Sequence, residues 1–161
     1  LGCYVLGKGE MTAAAESIEA LKVAARAADD MQGTNLLAVD ASDIMGLIDG
    51  FLVVSAHNER LVNAIVDGVE DKLREELGIK PLRREGRAEG RWVLLDFGDI
   101  VVHVQHEEDR AFYALDRLWG EAPRIELGLD SEVGAVDVAG AEADYQTITP
   151  AEDLMNQRED D

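Results

Sequence analysis

Four side chains in one short stretch are of types that do chemistry. In "DFGDIVVHVQH", Asp96 and Asp99 stand three apart, and so do His103 and His106. Paired carboxylates can hold Mg²⁺ and position phosphates for nucleotidyl transfer. Imidazoles can ligate zinc or move protons. Each group also has a plainer use. Asp and Gly favour turns, and the two aspartates bracket Phe97-Gly98, an X-Gly pair between apolar runs that predicts a hairpin loop. Nucleotidyl transfer usually also needs a glycine-rich or basic phosphate contact, and no such loop precedes a helix in this chain. Side chains alternate along a strand. His103 therefore shares a face with Val101 and Gln105, and His106 points the other way. A zinc site needs roughly three or more convergent protein ligands, whereas His57 is remote in sequence and the single cysteine, Cys3, lies near the N-terminus. Ser55 in "VSAHN" lacks the flanking glycines of a nucleophile elbow. No catalytic residue, metal or cofactor is expected.

Two aromatics resist this account. Phe97 occupies a hairpin loop, where polar residues are the rule, and Trp92 opens the first strand after the exposed "GRAEGR". Alternation puts Trp92, Leu94 and Asp96 on one face and Val93, Leu95 and Phe97 on the other. The aromatics either fold onto the core or form an apolar contact surface of the kind that anchors a partner.

The elements that hold this hairpin follow from periodicity. Residues 12–31 predict a helix, with Ile18, Leu21, Ala25 and Ala28 on one side, Thr12 as a cap and Gly33 after its end. "NLLAVDAS" (35–42) and "DGFLVVSA" (49–56) predict strands, joined by a turn or a single helical loop. A longer helix starts near His57 with Ser55 or Asn58 as its cap. Leu61, Ile65, Val69 and Leu73 form its stripe and Gly78 ends it. "IKPLRREG" (79–86) reads as a weak strand, and Pro81 suits an edge. Glu107 to Trp119 predicts one more helix, with Phe112, Leu115 and Leu118/Trp119 on its inner side. The order implies an α/β (α+β) domain over residues 11–120 with a mixed five-stranded sheet flanked by helices. Residues 1–10 read as a tag or N-terminal extension, because Met11 opens the first helix cleanly. Residues 121–161 carry 12 acidic and 2 basic side chains with no sustained period, which predicts an acidic, mobile tail. Within it, "TPAEDLMNQRE" (149–159) has the capping pattern of a short helix.

Charge narrows the partners. With 34 acidic against 15 basic residues the formal net charge is −19. Such a chain is repelled by DNA, RNA backbones and anionic membranes, and attracted by a basic protein. No stretch approaches the roughly 20 apolar residues of a membrane span, and no signal peptide is evident, so a cytoplasmic protein is expected.

The segment "GRWVLLDFGDIVVHVQHEEDRAFYALDRLW" resembles the C-terminal signature of the ribosomal silencing factors, the Iojap/RsfS family. "TNLLAVDAS", Asp49 and the strand 51–56 with Arg60 and "AIVDGV" resemble the family's first half, so the similarity spans residues 14–120. It implies a fold related to nucleotidyltransferases but without their catalytic motif, and no enzymatic activity. It further implies a translational repressor, which binds the large ribosomal subunit through a ribosomal protein at the subunit interface. Binding would block joining of the small subunit and lower translation when nutrients are short. The implied partner-binding residues are Trp92 and Phe97 as apolar contacts, Asp96, Gly98 and Asp99 beside them, and Arg60 and Gln105. The chain departs from the family at "SAHNER", where a small-residue turn is usual, and at Gln105, where apolar or aromatic residues are frequent. Homodimer formation stays open. The competing expectation is a metal-dependent nucleotidyltransferase-like enzyme using Asp96 and Asp99.

Overall fold

The computed structural model describes residues 13–133. Helix α1 (Ala15–Asp30) leads into β1 (Thr34–Asp40), a single helical turn α2 (Ser42–Met45) and β2 (Gly50–Ala56). Helix α3 (Glu59–Leu77) then leads to β3 (Arg83–Glu85), β4 (Trp92–Asp96) and β5 (Ile100–His106). Two short helices, α4 (Glu107–Tyr113) and α5 (Leu115–Leu118), and a last strand β6 (Arg124–Ile125) complete the described residues. The sheet order is β3-β4-β5-β2-β1-β6. Only the central β2–β5 pair is parallel; the other neighbours are antiparallel.

Helices α1 and α3 cover one face. Their apolar stripes, among them Leu21, Ala25 and Ala28 on α1 and Val62, Ile65, Val69 and Leu73 on α3, are buried against Leu52, Val54, Leu95, Val102 and Val104 of the sheet. Burial of this apolar surface is the main driving force for the layer. Alanine supplies much of α1, and α3 comes close to its end: at Gly68 an added Cβ would lie 4.0 Å from Ala27 O and 2.8 Å from Cγ of Met31, the residue after α1. Asn58 caps α3 by accepting from the Leu61 N–H at 2.8 Å, and Gly78 ends it in the left-handed conformation at φ 70°. The second face is covered only in part, by Leu115, Trp119 and Ala122 packed on Leu37, Val39, Phe51, Val53 and Val101.

Three expectations change. The sheet has six strands rather than five, because Arg124–Ile125 pairs with Val39 and Ala38 of β1. Ile125 is 1% exposed. The Leu36 N–H donates to Ser131 O, and the Val133 N–H donates to Leu36 O. The two-residue sixth strand is too short to show a period-2 pattern, so pairing with β1 defines it. The helix expected from Glu107 to Trp119 breaks at Ala114, which takes φ 51°, and Leu118 is left 72% exposed. At the end of α1 the left-handed residue is Gln32, at φ 71°, not Gly33. Gly33 is needed for space instead, since an added Cβ would sit 2.5 Å from Val54 Cγ2. Thr12, residues 1–10 and the segment 149–159 lie outside the described residues.

Candidate functional site

The hairpin turn is built by its own side chains. Phe97, Gly98 and Asp99 connect the strands, with the Phe97 N–H donating to Ile100 O at 2.9 Å and Gly98 at φ 97°. That backbone conformation suits glycine because no Cβ is present to clash. Asp96 Oδ1 accepts from the Gly98 N–H at 2.9 Å, an Asx-type turn, and its other oxygen lies 3.6 Å from Arg83. The Asp99 carbonyl accepts from the Asp49 N–H, while its side chain is exposed. The two aspartates thus serve different ends, one closing the turn and one facing solvent.

The three histidines are scattered over separate jobs. His103 is buried on the second face between Phe51, Trp92 and Trp119, at ring-centroid distances of 5.8, 5.9 and 5.5 Å. Trp92 Nε1–H donates to His103 Nδ1 at 3.0 Å. Indole is only a donor, so Nδ1 is the acceptor and the ring proton sits on Nε2. Burial pushes the His103 pKa down to about 4, because the charged form loses its hydration. His106 begins α4, its Nδ1 accepting from the Glu108 N–H. His57 is exposed, 3.3 Å from Glu107. Among the described residues, no three His, Cys, Asp or Glu side chains converge as metal ligands would.

The residues assigned to a partner surface fall into two groups at opposite ends of the strands. Asp96, Phe97, Gly98 and Asp99 form the turn. Trp92 and Gln105 are direct cross-strand partners at the far end, and Arg60 is exposed on the first turn of α3, which follows the same end of β2. Five residues of strand, about 16 Å, separate Trp92 from Phe97. The sheet separates them too: Trp92 packs with the second-face cluster and Phe97 with the α1/α3 core. Gln105 presents no surface at all. It is 0% exposed, and neither amide atom has a hydrogen-bond partner among the described residues.

Several residues around Trp92 were not evident from sequence. Tyr113 stands 4.7 Å from the indole and is 45% exposed. With half-buried Leu94 and Trp92 it forms an apolar strip beside the second-face cluster, and Leu118 of α5 is also exposed, at 72%. Arg91 fastens the start of β4 to α4, donating from Nη2 to Glu108 at 3.0 Å and to Asp109 at 2.9 Å. These bonds, to Glu108 first, raise the arginine pKa, and the Arg91 hydrogen bond in turn lowers that of Glu108. Arg110 makes a bidentate pair with Asp116 at 2.8 and 2.7 Å and donates to Ser55 Oγ. This clasp ties α4 to the start of α5 and to β2. The helical period runs through Ala114 without interruption, so no local signal in the sequence marks the break.

Comparison with known proteins places these features in a family. The model of the family described as "Ribosomal silencing factor during starvation" matches residues 14–156. A protein of Bacillus subtilis named ribosomal silencing factor RsfS is 42% identical over 107 residues, covering 66% of this chain and 90% of that protein. One of Halalkalibacterium halodurans with the same name is 41% identical over 109 residues, covering 68% and 92%. A crystal structure of protein CV0518 from Chromobacterium violaceum superposes with a TM-score of 0.61 at 32% identity, over 70% of this chain and 92% of that one.

Proposed function

Because the chain belongs to the ribosomal silencing factor family, we propose that it represses translation by steric occlusion on the large ribosomal subunit. Family membership supports a ribosome-associated role in silencing translation. The finer reading is that the domain docks through a basic ribosomal protein at the subunit interface and fills space the small subunit needs. The mechanism requires no bond making or breaking, and it belongs in the cytoplasm.

The observation that carries the docking surface is the uncovered apolar strip around Trp92. Trp92, Leu94 and Tyr113 lie together on the second sheet face, beside the part covered by Leu115, Trp119 and Ala122. Exposed aromatic clusters of this kind supply anchors that exclude water at an interface. Arg60 lies toward the same end of the sheet and is assigned to the rim. A net charge of −19 favours a basic partner and speeds its encounter. Phe97 and the turn aspartates face elsewhere and are assigned no part in this contact, nor is buried Gln105. Asp96 is engaged in its turn, which gives a metal-dependent reading no support.

Sedimentation with isolated subunits tests the proposal. The protein should travel with large subunits, and added protein should lower the yield of joined ribosomes. Trp92→Ala should weaken that binding by about 2 kcal/mol while the fold persists. Co-sedimentation of the variant at wild-type affinity would remove Trp92 from the contact. Binding should also weaken as salt is raised, since exposed charges are screened.

A further inference from the structure

At the hairpin end of the sheet, on the face opposite Trp92, lies a groove of about 450 Å³. It runs between the first turns of α1, the last turn of α3 and the β4–β5 turn. Its floor is apolar, formed by Leu77, Ile79 and Phe97. Glu16, Glu19 and Asp99 stand along it. Several other acids are neutralised by neighbours: Arg84 meets Glu70 at 2.6 Å, Arg87 meets Asp67 at 2.7 Å, and Arg91 meets Asp109 at 2.9 Å. The groove acids are not. Glu16 and the Asp99 side chain have no ion-pair partner among the described residues, and Glu19 reaches Arg26 only at 4.0 Å.

From this juxtaposition we propose that the groove is a second docking site, which takes a short partner segment that is apolar on one side and carries lysine or arginine on the other. Unneutralised carboxylates beside a low-dielectric wall focus a negative field, and a cationic side chain relieves it. An apolar floor gives the segment a reason to stay that charge alone does not supply. Phe97 then has a role that turn chemistry does not provide: it is half-buried in the core and half the floor of the groove. The site is independent of the Trp92 surface. The two are on opposite faces and opposite ends of the strands, so both can be filled at once.

Fluorescence polarisation with the whole chain and three labelled synthetic peptides tests this. The probes are an amphipathic leucine/lysine peptide, its leucine/glutamate twin and a lysine/serine peptide of equal charge. The leucine/lysine peptide should bind at least about tenfold tighter than either of the others. Glu16→Lys/Glu19→Lys should weaken it by about tenfold. The same charge change at exposed Glu126 and Asp130, near the other end of α1, should have little effect. Phe97→Ser should weaken it similarly, with a thermal melt reporting whether the variant still folds. Equal losses from the two charge pairs would mean that only net charge is sensed, and would overturn the proposal. So would binding of the lysine/serine peptide as tight as that of the leucine/lysine peptide. Neither result bears on sedimentation with large subunits, which depends on Trp92.

Discussion

His103 shows how burial converts a candidate catalyst into a structural acceptor. Its imidazole is held neutral by desolvation, with a pKa of about 4 against 6.5 when exposed. A base whose folded pKa lies below its unfolded value binds fewer protons in the native state. The unfolded chain therefore gains on acidification, and stability is full above pH 6.5 and falls as pH drops toward 4. His103 should account for a loss of about 2 kcal/mol between pH 7 and pH 5. Urea unfolding at several pH values checks this, with His103→Gln as the comparison: the variant should show a flatter profile, and an unchanged slope would contradict the assignment. Gln105 makes the opposite case. Its two amide atoms, without a partner among the described residues, cost stability, because their hydration is lost and no hydrogen bond there replaces it. Gln105→Met, of similar size, should stabilise the fold by about 1–2 kcal/mol in the same measurement.

Between residues and molecule, the α4–α5 corner decides what the second face presents. One continuous helix would project Leu115 and Trp119 on a straight line past the sheet. The break at Ala114 lets Trp119 stack on Phe51 at 4.1 Å, with their planes 7° apart. The same turn leaves Leu118 and Tyr113 outside. Arg110 holds the corner through Asp116 and Ser55, and the pair is nearly buried, at 9% and 19% side-chain exposure. Removing one partner of such a pair strands the other charge. Arg110→Met should therefore cost about 3 kcal/mol by chemical denaturation. It should also weaken ribosome binding through loss of the Tyr113 position. Restoring stability by adding Asp116→Asn would show that the stranded carboxylate, not lost packing, carries the cost.

For the molecule as a whole, β6 and the residues after it close the β1 edge. Without them β1 would expose a row of unpaired N–H and C=O groups, which invites pairing with another chain. Asp40 N–H donates to Pro123 O, Arg124 donates to Val133 O, and Ser131 reaches Asp29 across the corner of α1. Truncation after Gly120 should therefore cost at least about 3 kcal/mol, from burial of Ile125 and the lost strand bonds, and should promote association through β1. Size-exclusion chromatography and a thermal melt read both effects. A fully stable monomer would show that the sixth strand is dispensable. The segment expected as an acidic tail thus contributes its first residues to the folded sheet, whereas the rest of it lies outside the described residues.

The sequence by itself determined the long elements, the mixed sheet and the turn. Those depend on local signals: the apolar stripe of α3, Asn58 and Gly78 at its ends, and the Asp96–Gly98 turn. It also determined that His103 and His106 face apart, since strand alternation is a local rule. What only the tertiary structure decided were the features that depend on distant contacts. Ile125 becomes a strand because β1 offers an edge, and α4 breaks because Arg110 finds both Asp116 and Ser55. Trp92 and Phe97, read together as anchors of one surface, are divided by the thickness of the sheet. Alternation already placed them on opposite faces, but which face stays uncovered depends on where α1, α3 and α5 come to rest. No local pattern of residues carries that information.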